Sequence, residues 1–234
     1  MNMNIKQFRY AADNFSYLVY GQRFALAIDG GAVQEILTFV ETHGLNLTDV
    51  TNTHSHPDHT AGTQELLDDS GSRYMDCKTL LSTKTIDLEG EEIRVYHTPG
   101  HTQDSITFHL GQVLITGDTL FNGTVGNCFT GDLKGFYDSI KLLMGFPGAT
   151  IIYAGHDYVM ESMAFAKKLE PDNRAIDLFL KKYEPNHVYS TMDDELKINP
   201  YLRFNESKII TLLEKKGLPV ATEYERWESL MSIE

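Results

Sequence analysis

The 234-residue chain is short of several residue types, and each shortage removes a class of protein. Two cysteines, Cys77 and Cys128, are too few for a disulfide framework and suit a reducing compartment, so a cytoplasmic location is expected. No run of about 18 apolar residues occurs, so no helix is expected to span a membrane. The opening MNMNIKQFRY lacks the apolar stretch of a secretory signal. Basic residues are in deficit: 20 Lys and Arg face 33 Asp and Glu, a formal charge of −13. A nucleic-acid binder needs a basic face to displace phosphate counterions, and docking on anionic lipid needs one as well. Neither partner is expected, and composition leaves the oligomeric state open.

What is present is an ordinary globular composition, 41% hydrophobic and 23% charged, with no internal repeat and no low-complexity linker. A chain of this size hides roughly 70% of its unfolded surface, enough for a sizeable core. The first half reads as short strands broken by Gly, Pro and Asp. Strands are predicted over 15–20 and 24–28, joined by the Gly21-Gln22-Arg23 hairpin, then over 47–53, 93–97, 105–110, 113–116 and 151–154. Apolar residues at 33, 36, 37 and 40 predict a helix over 32–42, ended by Gly44, and further helices are predicted over 63–69 and 133–144. Sheets covered by helices follow from this order. After about residue 160 the texture becomes helical, over 162–169, 173–183, 207–216 and 222–231. Two domains are expected, 1–165 and a small helical 166–234. Cys77 is placed in an exposed segment, and Trp227 in the core.

The sharpest local feature is Thr53-His54-Ser55-His56-Pro57-Asp58-His59, with four ligand-type side chains within six residues at a strand end. Side chains two apart on a strand share a face, so His54 and His56 can converge on one ion. Asp58 and His59 lie beyond Pro57, where the chain turns, and can face a second. Imidazole with carboxylate suits Zn, Fe, Mn or Co rather than Ca or Mg. Three more segments repeat a pattern of strand end, glycine and ligand: Gly100-His101, Gly117-Asp118 and Gly155-His156. Glycine there lets backbones approach closely.

With these residues in view, THSHPDHTAG at 53–62 resembles the metal-binding signature of the metallo-β-lactamase superfamily. Thr98-Pro-Gly-His-Thr102, Phe108, Thr116-Gly-Asp-Thr-Leu-Phe121 and Gly155-His-Asp-Tyr158 narrow the resemblance to glyoxalase II, the hydroxyacylglutathione hydrolases. Phe165-Ala166, Glu170-Pro-Asp-Asn173 and Asn199-Pro-Tyr-Leu-Arg203 extend it into the helical part, so that it spans about residues 15–205. The resemblance implies an α/β fold: a four-layer αββα sandwich with a small C-terminal helical domain that binds substrate. It implies two divalent transition-metal ions (Zn, Fe or Mn) with a bridging hydroxide. His54, His56 and His101 would hold one ion, Asp58, His59 and His156 the other, and Asp118 would bridge them. Asp58 and Asp118 are thereby placed at the catalytic centre. Thr53 and Asp29 are candidates for orienting the ligand imidazoles.

The implied activity is hydrolysis of a small-molecule acyl-thiol such as S-D-lactoylglutathione to a hydroxy acid and free thiol. The alternatives are another ester, a lactone or a phosphodiester on the same fold, or a metal-binding protein without turnover. The full set of seven ligands disfavours the last. One loop departs from the family pattern. Glyoxalase II enzymes hold glutathione with a basic residue and a tyrosine after the bridging Asp; Asn127 and Phe129 stand at those positions here. Tyr158 matches as a substrate contact. The last 18 residues carry one basic residue, Arg226, against four glutamates, a poor match to an anionic tripeptide.

Overall fold

The computed structural model describes residues 3–233. Five strands form the first sheet, in spatial order β1 (Asn4–Tyr10), β2 (Asn14–Tyr20), β3 (Phe24–Ile28), β4 (Asn46–Thr51) and β5 (Arg73–Met75). The second runs β11-β10-β9-β8-β7-β6, where β6 is Thr85–Leu88, β7 Glu91–His97, β8 Ile106–Leu110, β9 Val113–Gly117, β10 Ile151–Ala154 and β11 Ser190–Thr191. Pairing is mixed: β3, β4 and β5 run parallel, as do β9 and β10, and the remaining neighbours are antiparallel.

The strand period of two sorts side chains into layers. On β2, Phe15, Tyr17 and Val19 face the space between the sheets, where they meet Ile93, Val95, Phe108 and Ile115. Leu18 points the other way, joining Ala25 and Ala27 of β3 beneath α1 (Val33–Thr42). Small alanines on that face let Ile36 and Val33 of α1 sit close to the sheet, with Leu66 beside them. Across the sandwich, Leu114 and Ile152 turn outward to a third cluster, which holds Phe136, Ile140, Leu143, Trp227 and Leu230. The result is the expected αββα arrangement with a C-terminal helical region.

The other helices are α2 (Pro57–Thr60), α3 (Thr63–Ser70), α4 (Cys77–Thr83), α5 (Leu133–Met144), α6 (Val159–Leu169), α7 (Arg174–Lys182), α8 (Met192–Ile198), α9 (Ser207–Lys215) and α10 (Glu223–Met231). Residues 165 and 166 are consecutive positions within α6. None of the described helices is long and apolar enough to cross a membrane. Asn173 caps α7 through a bond from the Ala175 amide, which gives the Glu170–Asn173 motif a physical basis. Thr191 and Asp194 form a capping box that starts α8, an element the apolar periodicity does not reveal. Cys77 is not exposed: Asp76 caps α4, and the Cys77 thiol is buried on the Asn52 carbonyl at 3.3 Å. Burial pushes that thiol up to about 12, so it keeps its proton at neutral pH. Trp227 is fully buried, 5.7 Å from the Phe136 ring.

Strand directions place the segments that follow β4, β7, β9 and β10 at one edge of the sandwich. The hairpin between β1 and β2 opens at that edge too, where Asn14 bridges to His156.

Candidate metal centre

These loops bring seven side chains together. Ligand atoms of His54, His56, His101 and Asp118 lie within 4.8 Å of one another, and those of Asp58, His59 and His156 form a second such group. In the first, His56 Nδ1 is 3.0 Å from both His54 Nε2 and His101 Nε2, and Asp118 Oδ2 is 3.4 Å from His101 Nε2. In the second, His59 Nε2 is 3.2 Å from His156 Nε2, and Asp58 Oδ2 lies 3.6 and 3.3 Å from those two nitrogens. Asp118 reaches both groups, its Oδ1 being 3.3 Å from His59 Nε2 and its Oδ2 3.4 Å from His156 Nε2. Metal–nitrogen bonds of about 2.0–2.1 Å set tetrahedral ligand atoms about 3.3 Å apart, the spacing found here.

Hydrogen bonds at the far ring nitrogens fix how four imidazoles point. His59 Nδ1 donates to Asp29 Oδ2 (3.0 Å), His156 Nδ1 to Asp13 Oδ1 (2.9 Å) and His101 Nδ1 to the Asn127 carbonyl (3.0 Å). Thr53 Oγ1 gives its proton to Asp29 Oδ2 (2.7 Å) and accepts from His54 Nδ1 (3.0 Å). In these tautomers every Nε2 lone pair faces the centre, beside carboxylate oxygens that are also acceptors. Asp118 Oδ1 is buried there without a hydrogen bond. Such a donor-poor cluster suits cations, and its nitrogen and carboxylate set suits transition metals.

The glycines act through close approach. A Cβ on Gly155 would sit 2.1 Å from Asp118 Oδ1. Gly117 has φ +50°, and a Cβ there would lie 2.4 Å from Thr53 Oγ1. Either side chain would push apart groups that form the centre.

The electrostatics agree. Burial lowers His54 to about 4, and it also lowers His101, leaving both imidazoles neutral for ligation. Burial opposes a proton on His59 as well, but the Asp29 and Asp118 carboxylates outweigh it and raise the group to about 11. His156 is raised in the same way, against its burial, chiefly by Asp118. Burial would raise Asp118 itself, yet the neighbouring His156 and His59 rings hold it well below the ordinary carboxylate range. A field that favours protons at these nitrogens favours a metal ion in their place, and binding then releases the protons.

The substrate-side residues separate. Tyr158 stacks on His156, with ring centroids 4.9 Å apart and planes within 7°, and Phe121 lies 5.0 Å from Tyr158. Phe129 is 66% exposed and stands 5.1 Å from the His101 ring and 5.6 Å from His56. Asn127 contributes through its backbone, the carbonyl that holds His101, while the residue itself is exposed. Asp157, next to His156, is taken up by Arg9 (2.5 Å) and Tyr183 (2.7 Å).

Two contributors escape the sequence reading. Asp13 orients His156, and Asn14 Nδ2 donates to Asp58 Oδ2 at 2.9 Å. Both sit on the β1–β2 hairpin, more than 140 residues from His156. The only local signal is an Asp-Asn pair in a turn, which most turns could carry.

Residues 10–73 and 78–156 match the family model "Metallo-beta-lactamase superfamily", and residues 157–230 match "Hydroxyacylglutathione hydrolase C-terminus". A hydroxyacylglutathione hydrolase of Idiomarina loihiensis is 34% identical over 208 residues, 81% of each chain. Among solved structures, ETHE1 from Myxococcus xanthus superposes with TM-score 0.67 at 23% identity, covering 97% of this chain and all of that one. The B3 metallo-β-lactamase BLEG-1 gives TM-score 0.65 at 19% identity, covering 85% of this chain and 99% of that one. At such identities these two structures speak for the fold alone.

Proposed function

Because the chain belongs to the hydroxyacylglutathione hydrolase family of the metallo-β-lactamase superfamily, we propose that it is a dinuclear metal-dependent hydrolase of thioesters. The paired His/Asp clusters spanned by Asp118 carry this reading. Two bound transition-metal ions would supply an activated water and an electrophilic pull on the carbonyl oxygen. The residues of the chain supply the rest. Asp118 spans the two clusters and fixes their separation. Asp58, held by Asn14, and the five imidazoles set the ligand field. Tyr158 and Phe129 stand as aromatic walls on either side, and the Tyr158 phenol, raised to about 12 by burial and the nearby Asp13 charge, keeps its proton and can donate to substrate. The departing thiolate needs no proton from the enzyme, since an ordinary thiol ionises near about pH 8.5.

The charge around the site bears on which thiol is released. Asp13 and Glu161, outside the ligand set, both lie close enough to Tyr158 to raise it. Arg226 donates to Asn205 Oδ1 (2.6 and 3.0 Å), and Lys141 pairs with Glu223 (3.1 Å). Both of these cations are thus already engaged. This supports an acyl-thiol whose thiol part is neutral or cationic in preference to glutathione.

A panel that holds the acyl group constant and varies the thiol tests the reading. The highest kcat/KM is expected with a neutral or cationic thiol. Ordinary efficiency with S-D-lactoylglutathione at a micromolar KM would restore glutathione. Turnover of a lactone or phosphodiester with no thioester cleaved would overturn the thioesterase assignment.

A further inference from the structure

The turn Phe121–Thr124 connects two parts of the metal centre. It follows Asp118, and it precedes Asn127, whose carbonyl holds His101. It closes on itself through Phe121 N donating to the Thr124 carbonyl (3.0 Å), and Leu120 bridges to Val125. The Phe121 ring lies 6.0 Å from His156. The turn is thus continuous in chain with Asp118 and with the carbonyl that holds His101, and it carries the wall beside His156.

Three consecutive residues of the turn are each held by the C-terminal segment 190–199. Asn122 Nδ2 donates to Ser190 Oγ (2.7 Å). Gly123 N donates to both carboxylate oxygens of Glu195 (3.1 and 3.0 Å). The Thr124 carbonyl accepts from Asn199 Nδ2 (3.1 Å), which also donates to Glu195 Oε2 (2.8 Å). Glu195 and Asn199 are both fully buried. Burying a carboxylate without a cationic partner is costly, and a well-packed apolar residue serves stability at least as well. What an apolar residue could not do is fix the orientation of a tight turn through its amide and carbonyl groups.

We propose that Glu195 and Asn199 are positioning residues for the metal centre, clasping the 121–124 turn so that Asp118 and the His101-orienting carbonyl of Asn127 stay in ligating register. This rests on the dinuclear reading above and deepens it, giving the C-terminal region a part in holding metal.

The test compares wild type with Glu195→Ala, Glu195→Gln and Asn199→Ala, each purified as the metal-loaded full chain. Glu170→Gln serves as a control: it weakens a buried contact in the same region, the Arg203 pair, that does not touch the turn. Each protein is given a chromogenic chelator and its metal release is timed; melting temperature, kcat and KM are measured alongside. Glu195→Ala and Asn199→Ala are expected to release metal about tenfold or more faster, with the loss in kcat rather than KM, because supporting partners of ligands commonly contribute about 10–100-fold. Glu195→Gln keeps an acceptor for Gly123 N and should fall between them and wild type. Glu170→Gln should melt lower yet release metal at the wild-type rate. The proposal is overturned if Asn199→Ala and Glu195→Gln both release metal like wild type, or if Glu170→Gln accelerates release as much as they do. Should Glu195→Ala not fold, those two variants still decide. A wild type that holds no metal would refute the dinuclear reading itself. One that holds metal but cleaves no thioester would refute only the substrate assignment, leaving the release comparison valid.

Discussion

Asp29 Oδ2 lies 3.0 Å from His59 Nδ1, and the same carboxylate accepts from both the backbone amide and the hydroxyl of Thr53, each at 2.7 Å. One fully buried side chain therefore orients His59 directly and His54 through Thr53. It does so from a backbone at φ +54°, in the left-handed region that non-glycine residues rarely enter. Strain of this kind persists where surrounding bonds over-determine it.

Asp29→Asn separates charge from conformation, because asparagine tolerates the left-handed region and keeps the size of aspartate. The His59 partner becomes a weaker acceptor and the charge that favours a cation disappears. Metal affinity at the Asp58/His59/His156 group is expected to fall about 10–100-fold, with kcat falling alongside. Titration with a competing chelator checks it; unchanged affinity would show that the Asp29 charge is dispensable.

Asp118→Ala removes a side chain that reaches both groups. Metal content and activity should be lost together, with kcat/KM down by at least about 100-fold. Elemental analysis of the purified variant beside a turnover assay reads both. Full activity in the Asp118→Ala variant would remove Asp118 from the bridging role.

Wild type should carry about two transition-metal ions per chain. Exhaustive chelation should abolish turnover and lower the melting temperature, since an ion bound to the native state alone stabilises it by mass action. Restoring Zn, Fe or Mn separately, and comparing recovered rates, identifies the ions the site accepts. Recovery of activity without any added metal would contradict the dinuclear reading.

Arg203 donates to both oxygens of Glu170 at 2.8 Å, with the side chains only 15% and 2% exposed. Cutting one partner leaves a charge buried and unpaired. Arg203→Ala is therefore expected to cost about 3–5 kcal/mol, read by urea denaturation. A loss below about 1 kcal/mol would mean that Glu170 finds water or another partner.

The centre was legible in the sequence where its chemistry is local. His54, His56, Asp58 and His59 fall within one loop, and each remaining ligand follows a glycine at a strand end. The layers were legible because 15–20 and 24–28 alternate between two buried faces. Strand β1 was not, since as an edge strand it buries little beyond Gln7 and shows no apolar period. Asp13 and Asn14 were not, because their partners lie far along the chain and only the folded hairpin brings them together. Helix α8 carried its signal in a capping box rather than in periodicity. The role of Glu195 could not be read at all, as a glutamate in a polar helix looks solvated until the fold closes over it.

That burial gives Glu195 a pH signature. Desolvation raises its carboxyl to about 7, against the hydrogen bonds from Ser190, Asn199 and the Gly123 amide, and the neighbouring Asp194 charge adds to the rise. In the unfolded chain the group ionises near its ordinary value of 4.5. Between these values the native state binds the proton and the unfolded state has lost it, so the unfolded state binds fewer protons and stability falls as pH rises. The contribution is fully present below about pH 4.5, shrinks through the interval and is gone above about pH 7. One pH unit corresponds to about 1.4 kcal/mol, so a loss on the order of 2 kcal/mol is expected between about pH 5 and about pH 7. Glu195→Gln cannot titrate and should lack this component. Denaturation of both proteins at intervals from about pH 5 to about pH 8 isolates it: wild type should lose ground to the variant up to about pH 7 and run parallel to it beyond. Parallel curves over the whole range would mean that Glu195 is already ionised in the native protein, its charge fully carried by the turn it clasps.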